Sequence, residues 1–282
     1  MHTIKKIFIL LMQKDIRQIG MKICNKIKYL YTRLTFKPYV KSISICEEEF
    51  NIIISDLFAK SIYDNKSNLE QWEELKWLKY NCIQERDVIA DCGANIGVTG
   101  LFFSRCVGPS GKVVGFEALP ANADVARKNI QLNRANNFEI RNQAVGSFHG
   151  IVEFSVHPNG AVGVIEGYKN IKVPVVTLDE SFPREKPTFL KIDVEGYELE
   201  VLRGAVKILA KNPKIDLELH CACFSDRIKF VESIIKILNI DKYLVYIQLE
   251  RNKKIKFYHN RDITPELIAG YDNVHLFAMP RG

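Results

Sequence analysis

An α/β fold with a mostly parallel sheet covered by helices on both faces is the architecture this sequence predicts. Three observations carry the prediction. From Asp87 onward, apolar strand-like runs alternate with amphipathic helical stretches at the spacing of βα units. A glycine-bearing turn, Asp91-Cys92-Gly93-Ala94-Asn95-Ile96-Gly97, stands between a buried strand and a helix that starts near Val98. Glu117 then closes the next strand about 20 residues past that turn, the spacing at which an acid meets a bound ribose.

In chain order, the first element is basic. Through Lys41 the chain carries ten Lys or Arg against Asp15 alone, so most of the net charge of +7 sits there and the remainder is at −2. Ile4, Phe8, Met12, Ile16, Ile19, Ile23, Ile27, Leu30 and Leu34 recur at three- and four-residue steps, an amphipathic helix loosened at Gly20. Such a stripe packs on its own domain, forms a homodimer with a second copy, or lies peripherally on an anionic membrane surface. Nucleic acid is not an expected partner, because the segment lacks the interleaved aromatics and glycines of common RNA modules. Ile7–Met12 is far shorter than a membrane span and no small-residue cleavage site follows it, so neither a secretion signal nor a transmembrane helix is expected.

After Pro38 the texture becomes short and alternating. Ser42–Cys46 and Phe50–Ser55 read as a β-hairpin across the acidic turn Glu47–Glu49. Asn68 is a plausible N-cap for a helix over Leu69–Tyr80 that presents Trp72, Leu75, Trp77 and Leu78. The expected organisation is a helical extension (1–40) and a catalytic domain (41–282), the latter with a hairpin-and-helix lead-in (41–82) and a Rossmann-like core (83–282).

Core strands are expected at Val88–Cys92, Lys112–Glu117, Phe138–Ala144, Thr188–Asp193 and Ile215–His220, with helices after the first, second, fourth and fifth. Ile151–Val156 and Ile171–Leu178 look like an inserted hairpin, and Tyr243–Ala278 supplies closing strands. At 282 residues and 47% hydrophobic the chain buries a full core. Its seven cysteines sit mostly in apolar runs, as free thiols in a reducing compartment do.

The turn at Asp91 carries the first chemistry. Gly93 and Gly97 allow backbone angles that a side chain forbids. The spacing G-x-N-x-G departs from the dinucleotide fingerprint G-x-G-x-x-G, so a pyrophosphate seat is not expected. S-adenosylmethionine has no phosphate; its sulfonium and ammonium suit Asp91 and the exposed carbonyls around Asn95. Glu117 accepts ribose hydroxyls in NAD sites and S-adenosylmethionine sites alike, so it points to an adenosine ligand and leaves the reaction open. Gln143 and Ala144, at the end of the third strand, are placed at the adenine ring.

Phe189-Leu190-Lys191-Ile192-Asp193-Val194-Glu195-Gly196-Tyr197-Glu198 puts charges at the carboxyl end of a central strand, where burial is costly and active sites lie. Strand alternation sends Lys191, Asp193 and Glu195 to one side, a cation between carboxylates; a purely structural ion-pair network gives the same pattern.

These motifs resemble the FkbM family of S-adenosylmethionine-dependent methyltransferases. Asp91–Gly97 resembles its D-x-G-A-N-x-G loop, Phe116-Glu117 its second-strand acid, and Thr177-Leu178-Asp179 its T-L-D. Lys191–Glu198 with Val201-Leu202-Arg203-Gly204-Ala205 resembles K-I-D-V-E-G-x-E…L-x-G-A. The likeness spans roughly Glu70–His220. It implies a class I methyltransferase fold with a seven-stranded sheet, a cytoplasmic enzyme, and O-methylation of a hydroxyl on a sugar, glycolipid or natural-product acceptor. Two departures stand out: Cys92 replaces an aliphatic residue, and Ala118-Leu119 separate Glu117 from Pro120.

Methyl transfer to a hydroxyl needs positioning and a proton acceptor. Asp193 is the first candidate for that base or for the cofactor's methionine end, with Glu195 orienting the hydroxyl and Lys191 setting their charge. The loop Asn159–Gly163 and the segment after His220 would flank the acceptor. No metal is expected, although Asp193 with Glu218 or His220 offers a Mg²⁺-assisted alternative. His220-Cys221-x-Cys223 supplies only three ligands in four residues, too few for a closed zinc site. An NAD(P)-dependent oxidoreductase and a non-catalytic membrane-surface adapter are the competing functions.

Overall fold

The computed structural model describes residues 35–64, 73–156, 162–163, 169–250 and 253–281. The basic helix expected before Thr35 and the expected cap at Asn68 lie outside the described residues.

β1 (Tyr39–Ile45) and β2 (Glu48–Ile54) form the expected antiparallel hairpin. Cys46 and Glu47 make its turn with φ of 48° and 72°; this mirror-image turn matches the strand twist and starts one residue earlier than expected. α1 (Leu57–Tyr63) is capped by the Asp56 carboxylate on the Ala59 N–H, and α2 (Glu73–Asn81) is the described part of the lead-in helix.

The core runs β3 (Val88–Cys92), α3 (Val98–Val107), β4 (Lys112–Phe116), α4 (Pro120–Leu132) and β5 (Phe138–Arg141). β6 (Ala144–Val145), β7 (Gly150–Val156), β8 (Val162–Gly163), β9 (Lys169–Val176) and α5 (Leu178–Ser181) follow. The core resumes with β10 (Phe189–Ile192), α6 (Glu198–Arg203), α7 (Val206–Leu209), β11 (Lys214–His220) and α8 (Arg227–Leu238). It closes with β12 (Tyr243–Gln248), β13 (Lys256–Tyr258), α9 (Pro265–Ala269) and β14 (Asn273–Pro280).

The main sheet has the order β13-β12-β14-β11-β10-β3-β4-β5. It has the expected Rossmann-like α/β architecture with one edge strand, β13, beyond the seven predicted. β14 lies antiparallel between β11 and β12, and β13 is antiparallel to β12. The chain reverses after β12, and the crossover through α9 keeps that reversed direction into β14.

The third strand ends earlier than Ala144. The Asn142 side-chain amide donates to the carbonyls of Glu117 and Ala118 at 2.8 and 3.0 Å, which draws the chain off the ladder. Ala144 and Val145 pair instead with β9, in a separate four-stranded sheet that contains the predicted β7–β9 hairpin.

β3 is buried along its whole length and its side chains alternate between two cores. Val88, Ala90 and Cys92 join residues of α6, α7, α8 and α9; Ile89 joins the hairpin, α2, α3 and α4. The hairpin edge is not left open. The Asn129 and Asn133 side-chain oxygens accept the Ile53 and Asn51 N–H groups at 2.8 and 2.9 Å, and the Asn129 amide donates to the Ile96 carbonyl. Asn129 on α4 and Asn133, which caps its end, thus satisfy an edge strand. No helix among the described residues is long and apolar enough to cross a membrane.

Candidate active site

β4 and β5 lie on one side of β3 while β10 and β11 lie on the other, so the strand order reverses between β3 and β10. A ligand crevice opens at the carboxyl ends of strands at such a switch point, and here it has a volume of about 340 Å³, within the range of small-molecule sites.

Its floor is the glycine turn. Gly93 has φ +87°, and a Cβ there would sit 1.8 Å from the Asp193 carbonyl oxygen; only glycine lets the two strand ends approach. The Gly93 and Ala94 N–H groups both donate to the Phe116 carbonyl at 2.9 Å. Asn95, at φ 50°, donates its N–H to Glu117 Oε2 at 2.8 Å, and Leu119 donates its N–H to Oε1 at 2.8 Å. The Ala118-Leu119 spacer therefore gives Glu117 a second donor, and Pro120 opens α4 in its first turn. Glu117 is buried and burial raises its pKa, opposed by the Leu119 and Asn95 N–H groups and a side-chain hydrogen bond from Asn122; a carboxylate has about four acceptor sites, so room is left for a ligand hydroxyl.

Beneath the opposite wall runs a row of buried charges. Lys191 is in register with Asp91 on one side and Asp216 on the other, and registered neighbours in a parallel pair point the same way. Burial alone would lower the Lys191 pKa, but Asp193, Asp216, Asp91 and Glu74 hold it well above the ordinary lysine value. Lys191 Nζ donates to Asp193 Oδ2 at 3.1 Å.

β10 ends at Ile192, so strand alternation does not carry Glu195, contrary to the sequence reading. Glu195 reaches the crevice through a left-handed turn, with φ 52° at Glu195 and 97° at Gly196. Two residues on, Glu198 is fully buried at the start of α6; its Oε1 accepts the Gly196 N–H at 2.8 Å and contacts His220 Nδ1 at 2.7 Å. His220 Nε2 faces Glu195, Asp193 and Glu218 at 3.5, 3.8 and 3.8 Å.

Gly93, Asn95, Glu117, Gln143, Ala144, Lys191, Asp193 and Glu195 thus line one crevice, and Asp91 and Gly97 do not. Asp91 lies under the floor, wholly buried, with neither oxygen hydrogen-bonded. Burial pushes it up to about 7, so its charge is not presented to a ligand directly as the sequence reading supposed. Gly97 begins α3 against Ala126.

Glu198 stands within the quoted motif with no role expected from its spacing, and Glu218 and His220 are expected only as metal ligands. The alternation Asp216, Glu218, His220 along β11 was the available signal that all three share a face. The aromatic wall of Phe58 and Tyr63 from the lead-in, Phe154 from β7, and Tyr197 could not be read from spacing. Asn159, Gly160 and Ala161 lie outside the described residues. Cys221 packs in a core and Cys223 is exposed.

Ligand-capable atoms of Asp193, Glu195 and His220 lie within 4.8 Å of one another, as do those of Glu74, Asp216 and His275. In each group an imidazole already stands among the carboxylates as counter-charge. The lining holds four carboxylates, Glu117, Asp193, Glu195 and Glu218, against Lys191 and His220. Such a surface repels phosphate and favours a cation. The residues therefore fit S-adenosylmethionine: Glu117 for the ribose, Gln143 and Ala144 for the adenine, and the acids near Asp193 for the cationic end.

A family model described as Methyltransferase FkbM domain matches residues 91–254. The chain is 32% identical over 142 residues to the hexuronic acid methyltransferase AglP of Haloferax volcanii, a match covering 49% of this chain and 57% of that protein. It is 30% identical over 154 residues to the methyltransferase sdnD of Sordaria araneosa, covering 41% of this chain and 59% of that one. The chain thus spans somewhat over half the length of these curated relatives. Among solved structures it is similar to an S-adenosylmethionine-dependent O-methyltransferase from Thermotoga maritima, with 13% identity, a TM-score of 0.45, and coverage of 86% of this chain and 78% of that one.

Proposed function

The chain belongs to the family of FkbM methyltransferase domains, and from that premise we propose that it moves a methyl group from S-adenosylmethionine to a hydroxyl of a sugar or uronic acid. The observation that carries this reading is the acidic crevice, in which four carboxylates line the space around a glycine turn and the two cations present, Lys191 and His220, are each paired with carboxylates. That charge pattern disfavours a nicotinamide dinucleotide and suits a sulfonium. Bound S-adenosylmethionine supplies an electrophilic methyl whose bonding pair leaves with sulfur.

The chain's own residues do the rest. Glu117 and the glycine turn hold the nucleoside, and Lys191 steadies Asp193 beside it. The aromatic wall of Phe58, Tyr63, Phe154 and Tyr197 offers ring faces to the apolar face of a sugar and excludes water. A hexuronic acid acceptor is supported by the similarity to AglP.

Calorimetry with S-adenosylmethionine and S-adenosylhomocysteine tests the cofactor, and both are expected to bind at micromolar concentration while NAD does not. Incubation with methyl-labelled cofactor and fractionated cell extract tests the acceptor, with label expected in glycan or glycolipid. Binding of NAD alone, or label confined to protein or RNA, would refute the proposal.

A further inference from the structure

The crevice needs a group that removes the acceptor's proton, and two of its four carboxylates, Asp193 and Glu117, are already engaged by hydrogen bonds. Asp193 accepts Lys191 at 3.1 Å, and both oxygens of Glu117 accept backbone N–H groups. His220 is held differently. It ends β11, is 5% exposed, and lines the crevice. Its two nitrogens have different surroundings: Nδ1 is 2.7 Å from the fully buried Glu198 carboxylate, while Nε2 faces the crevice with only ion-pair contacts of 3.5–3.8 Å. Glu198 is itself fixed by the Gly196 N–H at 2.8 Å.

A carboxylate on Nδ1 holds that nitrogen as the N–H and leaves Nε2 as the basic lone pair. We infer that His220 is the general base of this enzyme, with Glu198 as its positioning residue, and that Nε2 takes the proton of the acceptor hydroxyl. In that step a lone pair of the hydroxyl oxygen forms the bond to the methyl carbon and the O–H pair stays on oxygen. The proton passes to Nε2, giving an imidazolium that Glu198 stabilises. The inference rests on the methyltransferase reading above.

The charged groups facing His220 are Glu198 from α6, Asp193 and Glu195 from the turn after β10, and Glu218 on its own strand, which is shared with His275 of β14. Burial would lower the imidazolium pKa, but the Glu198 hydrogen bond and charge, with Asp193 and Glu218, hold it up at about 9 in the free protein. A cation entering the acidic crevice opposes those carboxylates and lowers it again, which raises the share of neutral base when the methyl donor is present.

This is testable without an acceptor. The His220 ring is titrated by NMR in the full chain, first free, then with S-adenosylmethionine, then with uncharged-sulfur S-adenosylhomocysteine. The expected result is an apparent pKa lower by about one pH unit or more with the sulfonium than with the thioether. Glu198→Gln should lower the free-protein value while calorimetric affinity for S-adenosylhomocysteine stays within about threefold. Transfer to the labelled acceptor fraction should fall about 10²–10⁴-fold in His220→Gln. It should fall less in Glu198→Gln, which keeps an oxygen for Nδ1–H, than in Glu198→Ala. Failure of either ligand to bind would sink the methyltransferase reading. Binding of both with the same His220 titration, or full transfer in a folded His220→Gln, would sink this inference alone.

Discussion

Glu117→Gln is the sharpest perturbation of the cofactor reading, because the wild-type carboxylate is doubly used. Its two oxygens each accept one backbone N–H, from Asn95 and Leu119, at 2.8 Å. Glutamine keeps one carbonyl oxygen and turns an NH₂ toward the other donor. One buried N–H therefore loses a charged acceptor, a cost of about 1.5–3 kcal/mol. At roughly 2–4 °C per kcal/mol for a domain of this size, Tm should fall by about 3–12 °C. The same swap replaces one charged acceptor of a ribose hydroxyl, so Kd for S-adenosylhomocysteine should rise by about 10–150-fold. Calorimetry with S-adenosylhomocysteine and its 2′-deoxy counterpart separates the two effects. Removing the hydroxyl should weaken binding to the wild type strongly and to Glu117→Gln far less. An equal penalty in both proteins, with Tm unchanged, would refute the assignment of Glu117 to the ribose.

Other consequences are independent of the cofactor. Gly93→Ala drives a Cβ to 1.8 Å from the Asp193 carbonyl at a positive φ and should cost about 3 kcal/mol or more; urea unfolding would show it, and a loss under 1 kcal/mol would contradict the packing described. Asn129→Ala leaves the Ile53 N–H and the buried Ile96 carbonyl without partners, for a loss of about 2–5 kcal/mol measurable by the same method. Lys214→Ala strands the buried Asp87 carboxylate, which also accepts from Thr188 and Gln84, at about 3–5 kcal/mol. Stability should also fall as pH rises from neutral. The folded His220 is held at about 9 against an unfolded value near 6.5, so its contribution is complete below the unfolded value and is lost through pH 9. Asp91, raised by burial to about 7, adds a cost that grows from the ordinary aspartate range up to pH 7. A Tm that climbs steadily from pH 6 to pH 9 would contradict both.

The βα alternation from Asp87, the glycine turn, Glu117 and the Lys191–Glu198 motif were legible in the sequence because each depends on local rules: strand period, backbone freedom at Gly93, and the cost of charge on a buried strand. Val88–Cys92 forms the strand the sequence predicted. Glu195 lines the crevice from a left-handed turn and not from the strand, since alternation does not show where a strand ends and such a turn begins. The switch point, the insertion of β14 between β11 and β12, and the aromatic wall are products of chain return over long separations. So is the meeting of Glu74 on α2 with Asp216 and His275 on distant strands. Above all, the pairing of Glu198 with His220 joins residues 22 apart, and no local spacing encodes it. Sequence fixes which groups are present and which face they take; only packing decides which oxygen meets which ring nitrogen, because that contact exists once α6 settles against the end of β11.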